Sequence, residues 1–294
     1  MLHCSRAVAN GDGWHGLVLQ AVKWAEGGRR VLQMPRYRLG VVSYLNSRPL
    51  IYGLEAAPDF ELTLDVPARL PALLDAGRVD AALVPVVDLV RPERDWVVVS
   101  DVCIACDGVT FTVRVFSRVP LTQVDTLHVD GDSHTSVALA KLLWKESFGG
   151  RDLIVEPFER DQPTDACQAI LLIGDKVVGQ PLIDFDIETD LGSAWKSLTG
   201  LPFVFAVWAG RSDVDHTELA GRLGQARDQG VAHAEEIAER IAPTMGWPVE
   251  LAKRYLTRRL QFTLTPRHRQ GMELFLEKAR THGLIAAGRE LSFV

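Results

Sequence analysis

From residue 37 onward, short runs of β-branched and apolar residues alternate with segments of helical periodicity. Early strand-like runs are Val41-Val42, Phe60 to Leu64 and Asp80 to Val84, and helical segments lie between them. This alternation is typical of α/β proteins, in which helices cover a largely parallel sheet. The sequence therefore predicts an α/β fold.

Two longer apolar runs, Thr110 to Phe116 and Phe203 to Trp208, flank a second α/β series that starts near Thr126. We expect the chain to cross twice between two lobes, with residues 36–117 and 205–294 in lobe I and residues 118–204 in lobe II. Such lobes hold strand ends and helix N-termini around a cleft that closes on a small ligand. Periodicity alone leaves a single large sheet as the alternative.

The first 35 residues do not show the strand pattern of the rest. The apolar stretch Leu17 to Val22 is short and interrupted by Gln20, unlike the core of a secretory signal. We expect residues 1–35 to be a disordered extension or the product of a start-site error, with Met34 as the natural start. The alternative is a short helix from about Leu17 to Trp24 that packs on the body.

Composition excludes several classes of protein. There is no run of 18 consecutive apolar residues, so a membrane-spanning helix is not expected. The chain has 38 acidic and 32 basic residues, a net charge of −6, which argues against nucleic acid or an anionic membrane as a partner. Its four scattered cysteines favour a reducing compartment, and we expect a cytoplasmic protein.

The sequence offers no convincing metal or cofactor site. Cys103 and Cys106 have the spacing of half a zinc site, but no second pair completes it, and we interpret them as free buried thiols. The acidic residues between Asp184 and Asp190 lack the central glycine of a calcium loop and are interpreted as solvated surface. We therefore expect no metal and no cofactor.

Two segments carry polar side chains where strands give way to helices. Asn46 follows the first strand, where an asparagine either caps the next helix or faces the cleft, and the residue type alone favours the cap. The segment Asp132 to Ser136 precedes an apolar-periodic helix, and a helix N-terminus rich in hydroxyls is suited to an anion. Ordinary capping by Asp132 or Ser133 is the alternative.

Other polar residues have equally open roles. Thr110 and Thr112 would point to the same face of a strand, either toward a ligand or simply as good strand formers. Arg48 suits a carboxylate through a bidentate pair, or is a solvated helix charge. Ser43 and Tyr44 are expected to form part of the cleft wall.

Several ordered motifs resemble those of the MqnA family, the chorismate dehydratases of the futalosine route to menaquinone. The segment Gly40 to Leu50, GVVSYLNSRPL, is similar to the family's opening signature. Further segments of the same kind follow in the same order: Val79 to Pro85, Asp130 to Leu139, Leu172 to Asp175, Asp190 to Trp195 and Thr199 to Trp208. The resemblance extends from Arg36 to the C-terminus.

This resemblance implies a two-lobed periplasmic-binding-protein type II fold that is used as an enzyme. It implies loss of water from chorismate without a cofactor, giving 3-[(1-carboxyvinyl)oxy]benzoate, and it makes Asn46 an active-site residue. The substrate-binding residues are then expected to be Ser43, Tyr44, Arg48, Thr110, Thr112, Ser133, Thr135, Ser136 and Gly174. His134 stands where the family commonly carries arginine, which puts a charge-based role of that position in doubt.

Two other functions remain open from the sequence. One is the sister enzyme that acts on cyclic dehypoxanthinylfutalosine, although the segment Tyr44 to Leu50 favours the chorismate enzyme. The other is a non-catalytic protein of the same fold that binds a small carboxylate.

Overall fold

A computed structural model describes residues 17–19, 36–150, 152–158, 163–179 and 184–294. The strands in this part of the chain are β1 (Leu17–Leu19), β2 (Tyr37–Val42), β3 (Phe60–Asp65), β4 (Ala81–Pro85), β5 (Trp96–Cys106), β6 (Val113–Ser117), β7 (Thr126–Val129), β8 (Ile154–Pro157), β9 (Ala169–Ile173), β10 (Ile187–Asp190), β11 (Phe203–Arg211) and β12 (Leu260–Thr263). The α-helices are α1 (Leu70–Asp75), α2 (Val86–Leu89), α3 (His134–Glu146), α4 (Lys176–Gly179), α5 (Leu191–Thr199), α6 (Thr217–Ala232), α7 (Ala234–Ile241), α8 (Val249–Arg254) and α9 (Pro266–Thr281).

The first lobe is built on a seven-stranded sheet in the order β1-β3-β2-β4-β11-β5-β12. Strand β2 pairs in parallel with β3 and β4, whereas β11 is antiparallel to β4 and β5. All five residues of β4 are buried, as expected for a strand covered on both faces. The α/β fold predicted from the alternation of strands and helices in the sequence is therefore confirmed.

The second lobe contains a five-stranded sheet in the order β10-β6-β9-β7-β8. Its strand β9, Ala169–Ile173, is buried at every position. Helix α3 packs with an apolar face that includes Leu139, Leu142 and Trp144. Two separate sheets rule out the single large sheet that periodicity alone left open.

The hydrogen-bonded pairing corrects the expected boundaries between the lobes. Residues 113–117, expected in lobe I, form β6, which pairs with β9 and β10 of the second sheet. The chain thus changes sheets within residues 107–112, and it returns between α5 and β11. The boundary expected after residue 117 was wrong because an apolar run predicts a strand but does not show which sheet that strand joins.

The first crossover is not the continuous strand that was predicted from Thr110 to Phe116. Phe111 has a φ of 71°, in the left-handed region, and the strand begins only at Val113. The Asp190 carboxylate holds this turn by accepting the backbone N–H of Thr110 at 3.1 Å and of Phe111 at 2.7 Å. It also caps α5 by accepting Ser193 N–H at 2.9 Å. Asp190 is therefore a structural acceptor at the crossover, and its interpretation as solvated surface was wrong.

A short part of the N-terminal 35 residues belongs to the first sheet. Leu17–Leu19 forms β1, which pairs antiparallel with Leu62 to Leu64 of β3. A helix starting at Leu17 is thereby excluded, and so is an extension without any structure. The remainder of residues 1–35 lies outside the described residues.

Candidate active site

A narrow cavity lies between the two lobes. The lining comes from both lobes and comprises Val42, Tyr44, Asn46, Pro67, Ile104, Thr110, Thr112, Val113, Ser133, Ser136, Ile173, Gly174, Phe205, Ala206, Tyr255 and Leu260. Apolar walls thus surround a small set of hydroxyl groups and one amide.

Asn46 faces this cavity and does not cap a helix. It lies on the 3₁₀-helix Leu45–Ile51, whose N-cap residue is Tyr44 and which has no side-chain cap. The Asn46 Oδ1 atom is buried without a hydrogen-bond partner among the described residues. An unpaired buried acceptor costs free energy, so its persistence at a cavity between the lobes supports a role in binding.

A hydroxyl pair lies beside Asn46. Thr112 Oγ1 is 2.7 Å from the hydroxyl oxygen of Tyr255, and Asn46 and Tyr255 line the same cavity. Burial raises the pKa of Tyr255 above its usual range, so the phenol stays neutral. Tyr255 was missed from the sequence because it lies about 210 residues beyond Asn46 in a helical segment with no polar motif.

The start of α3 brings three of the predicted hydroxyls together, in different roles. Ser133 caps the helix, since its Oγ accepts the Ser136 N–H at 3.2 Å, and the Ser136 hydroxyl donates to the same oxygen at 3.0 Å. Both serines line the cavity. Thr135 is buried outside the lining and accepts the Val87 N–H of α2 at 3.5 Å. Ser133 therefore both caps α3 and lines the cavity. Thr135 instead forms a hydrogen bond between the two lobes.

Tyr44 spans the cleft. Its hydroxyl donates to Asp132 Oδ2 at 2.8 Å, and Asp132 also pairs with Lys176. Burial and the neighbouring Asp132 carboxylate raise the pKa of Tyr44 far above its usual range. Its ring packs against Gly174, which has a φ of +60° and no space for a side chain. Tyr44 and Gly174 thus both line the cavity and form a contact between the lobes.

His134 and Asp175 make two further contacts between the lobes. His134 Nδ1 is 2.7 Å from Asp88 Oδ2, and the buried Asp88 also accepts from Arg91 and Arg94. Although burial opposes ionisation of Asp88, its hydrogen bond with His134 and the nearby arginines hold its pKa below the usual range. Asp175 accepts the Leu45 N–H with both carboxylate oxygens at 3.2 Å. Neither carboxylate was identified as functional from the sequence, because each partner lies in the other lobe.

Besides Thr135, two further predicted binding residues, Arg48 and Ser43, do not line the cavity. Arg48 pairs with Glu55, at 3.3 Å, on the next 3₁₀-helix, Leu54–Ala56. Ser43 lies at the end of β2, where its N–H donates to the Asp65 carbonyl at 2.9 Å. Arg48 lies on the tightly wound 3₁₀-helix Leu45–Ile51, and this geometry sets the direction of its side chain.

The cavity lining is electrically neutral. Among the described residues that line it, none is Asp, Glu, His, Lys or Arg. In the described part of the chain, no group of three His, Cys, Asp or Glu side chains is arranged to hold a metal ion. Cys103 and Cys106 are free and buried, as interpreted, and burial raises the pKa of both thiols. The arrangement can orient and polarise a ligand through hydrogen bonds, with no charged side chain in contact.

We expect the Asp175→Asn substitution to remove a pH dependence of stability. Burial raises the pKa of Asp175 to about 6, although the hydrogen bond from the Leu45 N–H lowers it. In the unfolded chain the same carboxyl binds its proton only below about pH 4. Between these two pH values, therefore, Asp175 binds a proton in the folded protein but not in the unfolded chain. The stabilisation of the folded protein by protonated Asp175 is present at pH 4 and is lost as the pH rises through 6. Relative to the variant, the wild type should lose up to about 3 kcal/mol of unfolding free energy between pH 4 and pH 7.

Urea unfolding at pH 4, 5, 6 and 7 measures this difference. Asp184→Asn, at an exposed position of the second lobe, is the matched control and should follow the wild type at every pH. Parallel curves for wild type and Asp175→Asn would contradict the expectation.

Comparison with known proteins agrees with the fold and the motifs. Residues 37–281 match a family described as menaquinone biosynthesis. A curated relative, the chorismate dehydratase of Thermus thermophilus, is 30% identical over 265 residues, which cover 83% of this chain and 95% of the relative.

Two solved structures share the fold at low sequence identity. Protein AF1704 from Archaeoglobus fulgidus has a TM-score of 0.64 at 15% identity, with 85% of this chain and 98% of that chain covered. The alkanesulfonate-binding protein SsuA from Xanthomonas axonopodis pv. citri, bound to MOPS, has a TM-score of 0.58 at 13% identity, with 88% and 96% covered. The predicted periplasmic-binding-protein-like fold is thereby confirmed.

None of the helices in the described ranges combines the length and the apolar character needed to cross a membrane. The family match includes strands of both sheets and every described segment that lines the cavity. The chain therefore belongs to the menaquinone biosynthesis family, and within it to the MqnA family that its ordered motifs resemble.

Proposed function

We propose that this protein is a chorismate dehydratase, a hydro-lyase that removes water from chorismate to give 3-[(1-carboxyvinyl)oxy]benzoate. The observation that carries the proposal is the neutral cavity between the lobes, in which the unpaired Oδ1 of Asn46 lies among hydroxyl groups. The 30% identity to a chorismate dehydratase supports the same substrate. The free buried thiols agree with a reducing compartment, so we keep the cytoplasm as the proposed location.

The reaction suits a site without charged side chains. The C3 proton of chorismate is acidified through the diene by the ring carboxylate. When the C3–H bond breaks, its electron pair forms the C3=C4 bond, the C4–O bond breaks, and the hydroxyl leaves as water after taking up a proton. Formation of the aromatic ring drives the elimination, so the protein has to orient the substrate and exclude water.

The residues of the cavity have distinct roles in this proposal. Asn46 has its unpaired Oδ1 at the cavity, where it accepts the O–H of the leaving hydroxyl. Ser133 and Ser136, at the positive end of the α3 dipole, bind a substrate carboxylate. Val42, Ile104 and Phe205 enclose the ring. These contacts stabilise charge that builds on the ring carboxylate.

The proton acceptor is the substrate's own enolpyruvyl carboxylate. The lining contains no side chain that serves as a base near neutral pH, among the residues described. Asp175 directs its oxygens to the Leu45 N–H rather than to the cavity. A chorismate analogue with this carboxylate converted to an amide should therefore bind without elimination.

The decisive experiment mixes the purified protein with chorismate and follows the loss of the diene absorbance. We expect an aromatic product with the mass of chorismate less one water, and none with heat-denatured protein. Turnover of cyclic dehypoxanthinylfutalosine in place of chorismate would identify the sister enzyme. Saturable binding of chorismate without any product would identify a non-catalytic carboxylate-binding protein.

A further inference from the structure

Asp88 is a fully buried carboxylate that the proposed reaction does not use. It lies in the short helix α2 and has no exposed surface. Its Oδ1 accepts hydrogen bonds from two arginines of its own lobe, from Arg91 Nε at 2.7 Å and from Arg94 Nη1 at 2.9 Å. Arg94 is itself fixed, since it also binds Asp75 at 3.0 Å and lies 4.5 Å from the centroid of the Trp96 ring. The first lobe therefore holds this carboxylate in one place.

The other oxygen of the Asp88 carboxylate faces the second lobe. Oδ2 lies 2.7 Å from Nδ1 of His134, the first residue of α3. Because an ionised carboxylate only accepts hydrogen bonds, the donor is the Nδ1–H group, which a neutral imidazole can also carry. Beside this bond, the Val87 N–H donates to Thr135 Oγ1 at 3.5 Å. The contact between α2 and the start of α3 thus needs no charge on His134.

These contacts determine where the first turn of α3 lies relative to the cavity. Ser133 caps the helix directly before His134, and both Ser133 and Ser136 line the cavity. In the proposed function, these two serines bind a substrate carboxylate. Asp88 and His134 are not among the described residues that line the cavity. They can therefore act on a ligand only through the position of this turn.

We propose that Asp88 and His134 are positioning residues, whose hydrogen bond holds the start of α3 against the first lobe so that Ser133 and Ser136 face the substrate carboxylate. The kinetic consequence rests on the proposed chorismate dehydratase function. The attachment of α3 to α2 does not depend on it.

The His134→Ala variant tests the kinetic consequence, because it removes the bond between the lobes and leaves Asp88 paired with both arginines. We expect KM for chorismate to rise by about 10-fold, with kcat changed less than about threefold. The apparent affinity falls with the fraction of molecules in which the first turn of α3 is in place. His134→Asn restores an N–H on the atom bonded to Cγ and should return KM to within about threefold of the wild type.

The opposite end of α3 provides a matched control. There Glu146 accepts from His282 Nε2 at 2.9 Å and from Lys278 Nζ at 2.7 Å, both of which lie at or just after the end of α9. Glu146 is twelve residues beyond His134, or roughly 18 Å along the helix. His282→Ala thus removes a histidine–carboxylate contact of the same helix far from the cavity, and it should retain the wild-type KM.

A second measurement does not require turnover. Val87 is the second residue of α2, so its N–H has no partner within its own helix and depends on Thr135 Oγ1 across the cleft. We expect the exchange of this N–H with water, followed by NMR of the ¹⁵N-labelled protein without ligand, to be at least about 10-fold faster in His134→Ala. His282→Ala should leave it unchanged.

The outcomes separate the two proposals. If the wild type forms no product from chorismate, the proposed function fails, while the Val87 exchange still decides whether His134 holds the start of α3. Unchanged exchange in His134→Ala overturns the positioning role. An equal rise of KM in His282→Ala overturns it as well, because any loosening of α3 would then have the same effect, and so does a KM that stays at the wild-type value in His134→Ala.

Discussion

Replacing Asn46 by alanine should lower kcat for chorismate by about 10²- to 10³-fold, the usual effect of removing one preorganised hydrogen-bonding group from an active site. The Asn46 amide is the only amide side chain in the described lining of the cavity, and its Oδ1 has no partner there. The variant therefore removes a contact to the reacting substrate without breaking a helix cap. Steady-state kinetics from the loss of the diene absorbance measure the effect.

The thermal stability of Asn46→Ala decides between an active-site role and a structural one. Because Oδ1 is an unsatisfied buried acceptor, its removal should leave the melting temperature unchanged or slightly raised. Gln225→Ala, at an exposed position of α6, is a control that removes an amide elsewhere and should keep full activity. An Asn46→Ala variant that unfolds more easily and retains its kcat would show that Asn46 acts only in the fold.

Replacing Gly174 by alanine should lower kcat/KM by at least about 100-fold, because it prevents the lobes from closing. A Cβ at this position would lie 2.5 Å from Cδ2 of the Tyr44 ring, closer than real contacts allow. Tyr44 is held in place by its hydrogen bond to Asp132, so its ring cannot move aside without losing that bond. Separation of the walls by even about 1 Å is enough for a loss of this size. The same turnover assay measures it.

Gly200→Ala is the matched control for this prediction. Gly200 has a φ of +71°, close to the +60° of Gly174, but a Cβ there meets no atom within 4 Å. Both variants incur the strain of a left-handed alanine, about 1–2 kcal/mol, and should lower the melting temperature by a few degrees. Activity should be lost in Gly174→Ala alone. Equal kcat/KM in the two variants would mean that the Tyr44 contact does not govern closure.

The sequence predicted much of the local structure and the position of the main site segments. The runs around Val41, Ala82 and Ile170 are strands, and the hydroxyl-rich segment at Ser133 starts a helix, because periodicity and capping are local properties. In the long helical region, however, strand β12 was not predicted. It is four residues long and lies at the edge of the sheet, paired with β5.

The sequence by itself determined the α/β class, the two-lobed arrangement and the family, since each depends on patterns along the chain. Only the tertiary structure decided which side chains meet at the cavity. It placed Tyr255 and Asn46 in one cavity lining, directed Asp175 to Leu45, and turned Arg48 toward Glu55. The physical reason is that the cavity is formed by contacts between residues far apart in the chain. Their directions depend on hinge backbone such as Phe111, at a φ of 71°, which no local pattern predicts.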